Sequence, residues 1–90
     1  MPERYALYHY PSCGFCARVR QFLDETGMTI ELRNIHADPQ ALFDLETGGG
    51  RSTVPCLRIE RDGEVEWLYE SLDIIDYLRG RLTPAQSASG

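Results

Sequence analysis

The 90-residue chain contains no lysine. Its nine basic residues are all arginine, scattered at Arg4, Arg18, Arg20, Arg33, Arg51, Arg58, Arg61, Arg79 and Arg81. Fourteen acidic residues outweigh them and give a formal net charge of -5. An acidic domain without a basic stripe is a poor partner for nucleic acid, because phosphate neutralisation supplies most of that affinity. Long apolar runs are missing as well. None approaches the ~20 residues that span a bilayer, so no membrane association is expected. Cysteine is scarce: three in 90 residues, an odd number, cannot make a disulfide scaffold. There is no internal repeat. The opening Met1-Pro2-Glu3-Arg4 leads into a Tyr-rich stretch rather than a secretory signal pattern, so the expected setting is a reducing cytoplasm.

What remains is an ordinary globular composition, 42% hydrophobic, in a length that suits one domain. The order of elements reads β-α-β-α-β-β-α. Tyr5-Ala6-Leu7-Tyr8 favours a strand. From Cys13 the period becomes helical, with Cys16, Val19, Phe22 and Leu23 on one side and Arg18, Arg20, Gln21 and Asp24 on the other, ending at Gly27. Thr29 to Asn34 alternates as a second strand. Asp38-Pro39 starts a helix that carries Leu42 and Leu45 and breaks at Gly48-Gly49-Gly50. Val54 to Ile59 and Val65 to Tyr69 are predicted strands joined at Asp62-Gly63, a hairpin signal. Ser71 is read as the cap of a last helix with Leu72, Ile75, Leu78 and Leu82 on its apolar face. These elements predict an α/β fold: a four-stranded mixed sheet with helices on both faces over residues 1–82, and a disordered tail over 83–90.

The chemistry concentrates at Cys13-Gly14-Phe15-Cys16, between the first strand and the first helix. With Cys13 at the helix N-cap, the free first-turn amides and the helix dipole favour a thiolate. Cys16, one turn further and turned toward the core, can reach Cys13 but meets less solvent. Cys13 is therefore assigned as the attacking sulfur and Cys16 as the resolving one. Gly14 leaves the approach open and Phe15 adds an apolar surface. A zinc knuckle needs four close ligands, and only Cys56, His9 and His36 remain, none in a second pair; no metal site is expected. Cys56 reads as a buried small hydrophobe, and His9 and His36 as surface or loop residues. Pro55, at a strand start, is a candidate cis residue. A cis bond there would turn the Val54 backbone outward to pair with an extended peptide.

Taken together, Cys13-Gly14-Phe15-Cys16, Arg51-Ser52-Thr53-Val54-Pro55 and the turn before the last helix resemble the glutaredoxin family, within the thioredoxin-like fold, from about Tyr5 to Leu82. The resemblance implies a glutathione site. Cys13 would form the mixed disulfide, Val54 beside Thr53 and Pro55 would pair with the tripeptide backbone, and Arg51 would hold the glycyl carboxylate. Tyr10, where a Lys is frequent in the family, and Phe15 would flank the ligand. Glu70-Ser71 resembles the turn by which the N-terminal domain of glutathione transferases takes the γ-glutamyl group, although 90 residues leave no room for their helical second domain. Gly-Phe between the cysteines is usual in monothiol relatives that carry iron–sulfur clusters, but those have Ser at the position of Cys16.

The expected activity is glutathione-dependent thiol-disulfide exchange on glutathione mixed disulfides, and on protein disulfides, by a monomer whose co-substrate is glutathione. Two rivals stand beside it: a carrier holding a [2Fe-2S] cluster through Cys13 and glutathione, and a thioredoxin-like reductase of protein disulfides.

Overall fold

The structure, a computed structural model, describes residues 3–81. The chain forms β1 (Arg4–His9), α1 (Gly14–Thr26), β2 (Glu31–Asn34), α2 (Pro39–Asp44) continuing into a π turn (Leu45–Gly49), β3 (Cys56–Arg61), β4 (Glu64–Tyr69) and α3 (Ser71–Arg79). The sheet order is β2-β1-β3-β4. β1 and β2 are parallel, and β1–β3 and β3–β4 are antiparallel. The four-stranded mixed sheet expected from the sequence is therefore present.

Local chemistry sets the boundaries. Gly27 ends α1 in the left-handed conformation at φ 75°, which costs a glycine little. Asp38 caps α2 by accepting from the Gln40 N–H, with Pro39 at the first helical position. Asp62 and Gly63 both take positive φ, 51° and 80°, as a two-residue hairpin turn requires.

Alternation along the strands divides the core in two. On one face Leu7, Leu57 and Ile59 meet Val19, Phe22 and Leu23 of α1 and Ile74, Ile75 and Leu78 of α3. On the other, Ala6, Tyr8 and Cys56 meet Ile35, Ala41 and Leu45. Gly48 and Gly49 lie so close to the Trp67 and Tyr69 rings that a Cβ at either would collide with them. The glycine run thus lets the π turn settle on β4.

Four details differ from what the sequence predicts. β2 starts at Glu31, and Leu32 stays 48% exposed because β2 is a sheet edge. β3 starts at Cys56, since Pro55 has no N–H for the ladder. Ser71 is the first helical residue, and the N-cap is Glu70 at φ 76°, with no side-chain cap bond. Along α3, Leu72 faces outward, 60% exposed, and Ile74 lies in the core with Ile75 and Leu78. Leu82 and the expected disordered tail lie outside the described residues.

Glu3 ties the sheet to the end of α3. Its carboxylate accepts from the Tyr5 hydroxyl, from Arg61 Nε at 2.8 Å, from Arg81 Nε at 3.0 Å and from the Tyr77 hydroxyl at 2.9 Å. The Tyr5 hydrogen bond, then that of Arg61, hold its pKa down to about 2. A depressed carboxylate contributes stability that is full above its unfolded value of 4.5 and is lost as pH falls through about 2. Glu3→Gln should cost about 1–3 kcal/mol at neutral pH. Thermal melts across pH should show a lower Tm for the variant, with the gap to wild type closing toward pH 2; a constant gap would contradict this account.

Candidate active site

The carboxyl end of β1 and the start of β3 lie side by side, because Tyr8 pairs with Cys56. The chain leaves β1 through Tyr10-Pro11-Ser12 and enters α1 at Cys13. Cys13 is the N-cap, at φ -83° and ψ 119°. Its N–H donates to the Tyr10 carbonyl at 3.2 Å, and its carbonyl accepts from Ala17 at 3.0 Å. Its sulfur accepts from the Cys16 N–H at 3.3 Å, an amide that the helix leaves unpaired. Gly14 adds no obstruction: a Cβ there would meet nothing within 4 Å.

The three thiols are free and sharply unequal. Cys13 is half-buried, whereas Cys16 and Cys56 are both 0% exposed. Burial, reinforced by the Cys13 sulfur, pushes the Cys16 thiol up to about 12. Burial likewise pushes Cys56 up to about 12. Neither is ionised at neutral pH, so nucleophilic chemistry from solvent falls to Cys13.

A groove of about 450 Å³ is lined by Phe15 and Arg18 of α1, two and five residues past Cys13, by Thr53, Val54 and Pro55, and by Glu70, Ser71, Leu72 and Asp73. The Val54–Pro55 peptide is cis. Among the described residues no hydrogen bond engages the Val54 N–H or C=O, so one wall of the groove is an unpaired peptide edge. The opposite wall is the start of α3, where Glu70 C=O accepts from Ile74 at 3.0 Å while the amides of the first turn face no helical partner. Glu70 holds this corner at a positive φ that a residue with a Cβ seldom adopts. Ser71 is only 7% exposed. Phe15 and Leu72, 62% and 60% exposed, form an apolar rim.

Of the residues singled out from sequence, Phe15, Thr53, Val54, Pro55, Glu70 and Ser71 come together in this groove. Two stand apart. Tyr10 stacks on His36, ring centroids 4.1 Å apart, and Arg51 lies over the Tyr69 ring at 4.1 Å. The groove's cation is Arg18, which sequence periodicity assigns to the polar side of α1. Its spacing from Phe15, three residues along one helix face, was the available signal. His9 also departs from expectation: it is 6% exposed beneath α1, because the alternation that turns Tyr8 to α2 turns His9 the other way.

No group of three His, Cys, Asp or Glu side chains placed to hold a metal occurs among the described residues. A cluster bound through Cys13 would need further thiolates from outside the chain. No helix among these residues is long and apolar enough to cross a membrane.

The ranking of the thiols is directly measurable. Brief alkylation of the native, reduced protein at neutral pH, followed by peptide mass mapping, should label Cys13 at least about a hundredfold faster than Cys16 or Cys56. Comparable labelling of Cys56 would contradict the burial argument.

The glutaredoxin family profile matches residues 6–65. No curated protein sequence matches the chain. Among solved structures, maleylacetoacetate isomerase from Anaeromyxobacter dehalogenans 2CP-1, with glutathione in its active site, is 30% identical with a TM-score of 0.67 over 88% of this chain and 38% of its own. Glutathione transferase E6 from Drosophila melanogaster is 26% identical, TM-score 0.66, over 90% of this chain and 36% of its own. A thioredoxin-like protein, 24% identical with a TM-score of 0.65, is matched over its whole length and 88% of this chain, and shows the shared fold. The chain thus spans little more than a third of the isomerase and the transferase. The α/β fold is thioredoxin-like, and the chain belongs to the glutaredoxin family.

Proposed function

We propose that the protein is a glutathione-dependent thiol-disulfide oxidoreductase that acts through Cys13. The observation that carries this reading is the unpaired Val54 backbone in a groove whose α1 wall begins at Phe15, two residues past the half-buried Cys13. An extended tripeptide can add its backbone to such an edge as a short strand. Its cysteinyl sulfur would then lie toward Cys13. The γ-glutamyl end, a zwitterion, would find acceptors for its ammonium in Glu70 and Asp73. Its carboxylate would find the open amides of α3 and the Arg18 cation. The glutathione bound in the related isomerase supports the ligand class.

In the first step the Cys13 thiolate attacks the glutathionyl sulfur of a mixed disulfide. A Cys13–glutathione disulfide forms and the target leaves as its thiolate. A second glutathione thiolate then attacks that disulfide and restores the reduced site, with oxidised glutathione as product. In the other branch Cys16 attacks the mixed disulfide, glutathione leaves, and two further glutathiones reduce the resulting Cys13–Cys16 disulfide. Each step is thiolate exchange with electrons conserved. The apolar rim of Phe15 and Leu72 suits glutathionylated or disulfide-bonded proteins as targets. We place the monomeric protein in the cytoplasm, whose glutathione pool would supply the reductant.

The test is glutathione-dependent reduction of a small glutathione mixed disulfide, coupled to glutathione reductase. Cys13→Ser should lose at least about a thousandfold in rate, while Cys16→Ser should stay within a few fold of wild type. An inactive wild type, or an active Cys13→Ser, would overturn the proposal.

A further inference from the structure

On the side of α1 away from the groove, one guanidinium links three parts of the active-site framework. Arg20 Nη1 lies 3.3 Å from Nδ1 of buried His9, and Arg20 Nη2 donates to the Pro11 carbonyl at 3.4 Å. A guanidinium can only donate, so His9 Nδ1 must accept and the ring carries its proton on Nε2. Burial, and then the Arg20 charge, hold His9 below its usual range and keep it neutral. His9 is itself pinned, its carbonyl accepting from the Ile35 N–H at 2.9 Å. Pro11 follows Tyr10, the residue whose carbonyl holds the Cys13 N–H. The end of β1 and the Pro11 turn therefore hold the Arg20 guanidinium in place.

Arg20 also stands four residues after Cys16, one turn along the same helix face. No carboxylate pairs with it among the described residues, so its charge is not neutralised locally. The titratable and charged groups that act on Cys16 are Cys13, which disfavours its thiolate, and Arg20, which favours it.

We propose that Arg20 is a positioning residue for the second half of the reaction, its guanidinium held by His9 and the Pro11 carbonyl so that a positive charge stands one helical turn from Cys16. The proposal rests on the oxidoreductase reading and concerns the dithiol branch. There Cys16 gives up its proton and its thiolate attacks Cys13 Sγ. The Cys13–Cys16 bond forms and the Cys13–glutathione bond breaks, and glutathione leaves as a thiolate that takes up a proton. Cys16 is oxidised and the glutathionyl sulfur reduced, so no outside oxidant is needed. A buried thiol is a poor nucleophile until something stabilises its ionised form; the Tyr10 backbone and then the Arg20 charge, four residues along the helix, act in that direction.

Stopped-flow mixing of reduced protein with a glutathionylated reporter peptide separates the two halves: release of the peptide thiol reports Cys13 attack, and later release of glutathione reports Cys16. Arg20→Gln should leave the first phase within about twofold and slow the second by about three- to tenfold, with its pH midpoint moved upward. A fall in thiolate fraction is partly offset by greater nucleophilicity, hence that range. Arg20→Lys should recover part of the second-phase rate, and the second phase should vanish in Cys16→Ser. A second phase with unchanged rate and pH midpoint in Arg20→Gln would overturn the proposal. So would an equal slowing of both phases, the signature of a merely loosened turn. A wild type without even the first phase would overturn the oxidoreductase reading and this proposal together, whereas a normal first phase leaves the second phase to decide the role of Arg20 alone.

Discussion

Tyr8 and Cys56 face each other across the central strands, and the rest of the site depends on that register. It fixes the end of β1 against the start of β3. The turn to Cys13 and the Val54–Pro55 segment must then emerge side by side, although some forty residues separate them in the chain. Side chains alternate along a strand, so a slip of one residue would exchange Leu7 and Leu57 with Tyr8 and Cys56 between the two cores. The register is therefore enforced by burial on both faces. Cys56 is a structural residue in this sense, fully buried against Tyr8 and the π turn.

From that anchor the chemistry follows with few parts. The start of α1 presents one sulfur to solvent and buries the other a turn below. The start of α3, rotated by the positive φ of Glu70, closes the far side of the groove. Two helix N-termini thus converge on one cleft in a protein whose overall charge is -5, and local backbone dipoles rather than net charge make it receptive to anions. With no lysine in the chain, the groove's cation is Arg18, while two other arginines are tied to planar partners, Arg51 over Tyr69 and Arg20 against His9. A guanidinium suits such placements because it stacks and forks where an ammonium cannot.

Much of this was legible in the sequence because it rests on local rules. Cysteine spacing at a strand-to-helix boundary, Asp38-Pro39, Asp62-Gly63 and the Thr53-Val54-Pro55 triplet each act within a few residues. The departures are matters of tertiary placement. Arg18 belongs by helical period to the polar face of α1, yet the start of α3 arrives beside it and makes a groove wall of it. Arg51 precedes the triplet in sequence but is drawn to Tyr69, because the glycine run lets β4 approach. His9 and Ser71 look like surface or capping residues until the strand phase and the Glu70 turn bury them. None of these follows from a window of neighbouring residues.

The central claim is that the groove between Val54 and the start of α3 takes glutathione with its sulfur on Cys13. A crystal structure of the Cys16→Ser protein, trapped as its glutathione mixed disulfide, tests this most directly. The account predicts a Cys13–glutathione bond, tripeptide backbone hydrogen bonds to Val54, and the γ-glutamyl group against Glu70, Ser71 and Asp73 with Arg18 at its carboxylate. An adduct on Cys56, or a tripeptide lying outside the groove, would contradict it.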